Sequence, residues 1–100
     1  MGKSKRIVWD TEAILSLKNA HQYISRESPH QANLVREKLL EAVRKLSTFP
    51  EIHPPDKYKL KNDGNFRAFE KLSYRISYYV SEYEVFILRI RHVKQFPKEY

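Results

Sequence analysis

The sequence has no cysteine, so it can form neither a disulfide framework nor a zinc–thiolate site, and a reducing cytosol suits it. It has two glycines and one methionine, and it shows neither a glycine-rich phosphate loop nor a G-x-S-x-G nucleophile turn. No apolar stretch approaches the roughly 20 residues of a membrane span. The basic start, Met1-Gly2-Lys3-Ser4-Lys5-Arg6, is not followed by an apolar h-region, so no secretory signal is expected. Arg6 stands where a myristoylation signal has Ser or Thr. These absences predict a cytoplasmic protein with no membrane partner.

What is present fits one globular domain over residues 1–100, with 41% hydrophobic and 31% charged residues. Nineteen Lys and Arg against twelve Asp and Glu give a net charge of +7, which favours an anionic partner. The surplus is uneven. Residues 1–56 carry nine basic and seven acidic side chains, whereas residues 57–100 carry ten and five.

"KRIVW", Lys5 to Trp9, is a short β-like run. Asp10 or Thr11 is placed to cap a helix whose stripe is Ile14, Leu17, His21 and Ile24, with Glu12 at the positive end of its dipole. Ser28, Pro29 and Gln31 form a capping box for a second helix. Its apolar stripe is Ala32, Val35, Leu39, Ala42, Val43, Leu46 and Phe49, with Pro50 as the stop. Residues 50–64 hold three of the five prolines and one of the two glycines, and they read as a loop. Three strands follow, Phe66 to Lys71, Tyr74 to Val80 and Glu84 to Arg91. The expected fold is α+β: an N-terminal strand, a helical hairpin, then a three-stranded antiparallel meander forming a small sheet packed on the helices.

In the last hairpin Tyr74, Ile76, Tyr78 and Val80 share one strand face, with Arg75 on the other. In the next strand Phe86, Leu88 and Ile90 share a face opposite Val85, Ile87, Arg89 and Arg91. Turning both apolar sets toward the helices requires an odd turn or a bulge. Arg75, Arg89 and Arg91 then gather on the free face, joined by Arg67 and Lys71 if their parity matches. Such a cluster is either a wet face paired with Glu70, Glu82 or Glu84, or a phosphate cleft. His92 falls on the helix side by strict alternation, and a bulge at the strand end would turn it toward the arginines. The four histidines have no metal-ligand spacing, so neither a metal nor a cofactor is expected.

The chain resembles the RelE/ParE superfamily of bacterial type II toxins in "YISRESPHQANLVREKLLEAVRKLSTFPEI", in "FRAFEKLSYRISYYV" and in "VFILRIRHVKQFPKEY". The resemblance implies a toxin held inactive by a cognate acidic antitoxin whose tail wraps it. RelE-like members cut mRNA in the ribosomal A site without a metal: the 2′-hydroxyl attacks the adjacent phosphate while side chains move protons and cations stabilise the phosphorane. By resemblance Arg75 and His92 are the catalytic candidates, and Arg67, Arg89, Arg91, Lys94, Phe96 and Tyr100 are candidates for RNA binding. The first expectation is therefore a ribosome-dependent mRNA endoribonuclease. The alternative is a ParE-like protein that poisons DNA gyrase by binding it, since "SPHQA" and "LSTFP" are more like that branch. In addition, Phe69 stands where some strong ribonucleases of the group carry a lysine.

Overall fold

The computed structural model describes residues 4–95 and 99–100. Strand β1 (Arg6–Trp9) leads into helices α1 (Thr11–Ser25) and α2 (Pro29–Arg44), and α2 ends in a 3₁₀ turn, Lys45–Ser47. After the long loop come β2 (Phe66–Lys71), β3 (Tyr74–Val80) and β4 (Glu84–His92). The sheet order is β1-β4-β3-β2, with β1 parallel to β4 and the other two pairs antiparallel. None of the helices among the described residues is long and apolar enough to cross a membrane.

The capping signals act unequally. Ser28 Oγ accepts from the backbone N–H of Gln31 at 3.0 Å, satisfying one of the free N–H groups that open α2, and Pro29 costs nothing at a position with no helical acceptor. Asp10 caps α1 without a side-chain hydrogen bond, so only its charge favours the helix start.

The helices cover one face of the sheet. Leu39, Val43 and Leu46 meet Ile76, Tyr78, Val80, Val85, Ile87 and Ile90 in one buried cluster. Burial of this order, about 25 cal/mol per Å² of apolar surface, is what holds a domain of this size. The stripe of α1 is displaced from the expected one. Ala13 is fully buried and Leu17, Ala20 and Ile24 pack against the core, while Ile14 is 51% exposed. Phe49 is 60% exposed, because α2 ends before it and the chain turns away.

Strand β4 departs from the expected parity. Opposite Ser77 and Tyr78 the register slips, so that Ser77 faces Arg89 and Tyr78 faces Ile87, and Leu88 is the extra residue. The bulge puts Val85 and Ile87 on the helix side together with Ile90, and it leaves Phe86 and Leu88 on the other side. One added residue thus reconciles a strand that no single alternation describes.

Candidate functional site

The free face of the sheet has two zones. Toward one end Val8, Phe86, Tyr79 and Phe66 stand side by side across all four strands. Ring centroids are 4.5 Å apart for Phe66 and Tyr79, and 6.4 Å for Tyr79 and Phe86. All four are half-buried. Toward the other end lie the cations: Arg75 faces Arg91 and Ser77 faces Arg89 across the β3–β4 pair. The expected gathering of Arg75, Arg89 and Arg91 is therefore present.

Asp56 pairs with one of those cations, Arg75, from within the cluster. This carboxylate is only 3% exposed. It accepts from Arg75 Nη2 at 2.8 Å, from the Tyr100 hydroxyl at 2.7 Å and from the Tyr58 backbone N–H at 3.0 Å. Burial alone would raise its pKa. Donation by Tyr100, Tyr58 and Arg75 outweighs it, and the net value lies below the ordinary carboxylate range. Tyr100 is pushed upward by burial and by the same carboxylate. The Arg75 guanidinium also lies 4.8 Å from the Tyr58 ring, and that of Arg89 3.7 Å from the Tyr100 ring.

Tyr100 is held by its main chain as well: its N–H donates to Tyr58 O at 3.0 Å, and its carbonyl accepts from Lys59 Nζ at 3.1 Å. The space left between Asp56, Arg75, Arg89 and Tyr100 is about 20 Å³, room for a water molecule and not for a phosphate group.

The other sequence candidates lie elsewhere. Arg67 faces Tyr78, on the helix side, and its Nη1 donates to His53 O at 2.6 Å, so it braces the long loop. Lys71 faces Tyr74, also on the helix side, and does not join the arginines. His92 faces Tyr74, and their rings meet edge to face at 5.2 Å. The bulge falls at Leu88 and not at the strand end, so His92 stays on the opposite side of the sheet from Arg75. Its Nδ1 accepts from the Lys94 N–H at 3.1 Å, which leaves the proton of the neutral ring on Nε2.

His92 and Lys94 line a groove of about 590 Å³ between α1 and the end of β4. Arg91 reaches round the strand edge into the same groove, where it meets Glu12 at 3.6 Å. Phe96 lies outside the described residues. Among the described residues no three His, Cys, Asp or Glu side chains gather in a way that could hold a metal ion.

Asp56 was not among the sequence candidates. Its one local signal is the Asx turn it makes with Tyr58 just after Pro54-Pro55. That signal marks a turn and says nothing of the partners the carboxylate finds 19 and 44 residues away.

The family model for the ParE toxin of the type II toxin–antitoxin system parDE matches residues 7–96. No curated protein matches the sequence. Among solved structures, a chain of the chromosomal ParDE toxin–antitoxin system of P. aeruginosa superposes with a TM-score of 0.72 at 18% identity, over 89% of this chain and 96% of that one. A chain of the toxin–antitoxin complex RelBE2 of Mycobacterium tuberculosis superposes with a TM-score of 0.59 at 19% identity, over 92% and 94%. At these identities the likeness is one of fold.

Proposed function

The chain belongs to the ParE toxin family of type II toxin–antitoxin systems, and on that premise we propose that it arrests growth by binding DNA gyrase and not by cutting mRNA, restrained by an acidic antitoxin. The observation that carries this reading is the separation of Arg75 from His92 on opposite sides of the sheet. Metal-independent RNA cleavage needs a base, an acid and an unpaired cation converging on one phosphate. Here Arg75 is tied to a buried carboxylate, Tyr100 fills the adjoining space, and His92 faces Tyr74. Arg75, Asp56 and Tyr100 act in this reading as a structural unit. The apolar row Val8, Phe86, Tyr79 and Phe66 suits contact with a protein, where half-buried aromatic rings contribute most to affinity.

Two assays with the purified toxin test the proposal. Plasmid supercoiling by gyrase is expected to stall, with gyrase-linked DNA breaks, as toxin approaches the enzyme's concentration. In a reconstituted translation reaction, mRNA 5′ ends mapped by primer extension are expected to stay intact. New ends within codons together with unaffected supercoiling would overturn the reading in favour of the ribonuclease.

A further inference from the structure

The loop that follows α2 is braced by the sheet. The Tyr78 hydroxyl donates to Pro50 O at 2.7 Å, and Arg67 Nη1 donates to His53 O at 2.6 Å and reaches Glu51 O at 3.5 Å. The His53 ring stacks on Phe69 at 4.1 Å, and the Ala68 N–H donates to Pro54 O at 3.3 Å. Pro50, Pro54 and Pro55 fix φ at three further points. At the start of this held segment stand Phe49 and Ile52, each 60% exposed. The Ile52 N–H donates to Phe49 O at 3.3 Å, closing a turn with the two apolar residues at its ends. Single exposed apolar side chains are ordinary. Two on one rigid turn form a preformed knob, whose backbone has little freedom left to lose on binding.

The surroundings of the knob define what can receive it. A groove of about 340 Å³ is bordered by Glu51 of the loop and by Asn65, Tyr79 and Ser81 of the sheet. Tyr79 belongs to the apolar row, so the knob and the row meet across this groove, at the end of the sheet where β3 turns into β4. Arg44 and Lys45 are exposed, and neither is paired with a carboxylate among the described residues. The Phe49 N–H donates to Lys45 O at 2.9 Å, which keeps these cations beside the knob. A convex apolar turn flanked by cations is complementary to an apolar pocket with an acidic rim. Such a pocket belongs to a folded partner, because an extended segment has no hole for a knob to fill.

We propose that Phe49 and Ile52 are the anchor by which the toxin seats on its folded protein target, entering an apolar pocket whose acidic rim faces Arg44 and Lys45. The row Val8, Phe86, Tyr79 and Phe66 extends the contact across the adjoining groove. This inference rests on the reading of gyrase as the target, and it names the part of the toxin that holds the enzyme.

The test is inhibition of plasmid supercoiling by purified toxin, titrated against gyrase. Phe49→Ser combined with Ile52→Ser is expected to raise the toxin concentration for half-inhibition at least tenfold at unchanged Tm, since both side chains already lie mostly in water. Arg44→Gln with Lys45→Gln is expected to weaken inhibition at low salt and to flatten its salt dependence. Ile14→Ser with Leu15→Ser alters two side chains of α1 that are 51% and 54% exposed, and it is expected to leave inhibition unchanged. A benzophenone photocrosslinker in place of Phe49 should capture a gyrase subunit, and the same group in place of Leu15 should not.

Half-inhibition by the Phe49/Ile52 variant at the wild-type concentration would overturn the inference and leave gyrase as the target. An equal loss in the Ile14/Leu15 variant would overturn it too, since any exposed apolar pair would then serve. So would a Phe49/Ile52 variant that still stalls gyrase but no longer co-purifies with the product of the adjacent reading frame, because the knob would then belong to the antitoxin. If wild-type toxin at saturation leaves supercoiling untouched, the gyrase reading itself fails and the anchor falls with it.

Discussion

The hydroxyl of Tyr100 and the carboxylate of Asp56 meet at 2.7 Å across 44 residues of chain. The same carboxylate holds Arg75 through its other oxygen at 2.8 Å. Asp56 therefore joins the long loop, the middle of the sheet and the end of the described chain through two atoms.

Removing either partner has a different cost. Tyr100→Phe deletes one donor to a charged acceptor and is expected to lower stability by about 2 kcal/mol. Asp56→Ala leaves Arg75 without its nearest anion and should cost about 3 kcal/mol, the low end for a broken buried pair, because Arg75 is still one-fifth exposed. The double variant should cost less than the sum, since both changes act on one group. Thermal melts measure it, at roughly 4–8 °C per kcal/mol for a domain of this size. Strict additivity would contradict the shared-carboxylate account.

The same cluster sets the acid limb of stability. The folded pKa of Asp56 lies below its unfolded value. Its contribution is therefore complete above the ordinary carboxylate pKa, about 3.9, and is lost as pH falls from there through the lower folded value. Urea titrations between pH 5 and pH 2 should show a shallower decline in Asp56→Asn than in wild type.

His53 acts at higher pH. Its ring stacks on Phe69 at 4.1 Å, and burial lowers its pKa. The unfolded chain then takes up the proton first, so stability declines as pH falls below about 6.5, until the folded ring also titrates. His53→Phe keeps the stack and should remove that decline. An unchanged profile between pH 7.5 and 5 would show that the ring titrates alike in both states.

Leu72 and Ser73 join β2 to β3 with φ of 52° and 71°, both in the left-handed region. A two-residue hairpin turn asks for this conformation and favours Asn-Gly over Leu-Ser. Leu72→Asn with Ser73→Gly should raise stability by about 1 kcal/mol. A lower Tm in the double variant would mean that Leu72, 44% exposed, packs better than its exposure implies.

These positions also separate what the sequence reveals from what it conceals. The bounds of β2 and β3 are legible to the residue because alternation and flanking turn residues are local signals. The helix starts are legible for the same reason. The faces of β4 are not, because Leu88 breaks the period within the strand and the residues on either side of it obey opposite parities. The gathering of Arg75, Arg89 and Arg91 survives, because all three are fixed by pairings on the far side of the bulge. Asp56 and Tyr100 stayed hidden as partners of Arg75, since contacts that skip 19 and 44 residues leave no periodic trace.

The parallel pairing of β1 with β4 also determines the order in which the fold can assemble. Arg6 and Glu84 are 78 residues apart in the chain, whereas β2, β3 and β4 pair through tight turns. Closing the longer loop costs more entropy before any contact returns it, which slows that step relative to the meander. The meander and the helical hairpin are therefore expected to form first, with β1 docking onto them last. Pulse-labelled hydrogen exchange during refolding should find the β1 amides protected after those of β3, and protection of both in one step would refute that sequence of events. Until β1 docks, the whole outer edge of β4 stands unpaired. A refolding toxin is thus briefly more prone to pair with a foreign strand than the finished molecule.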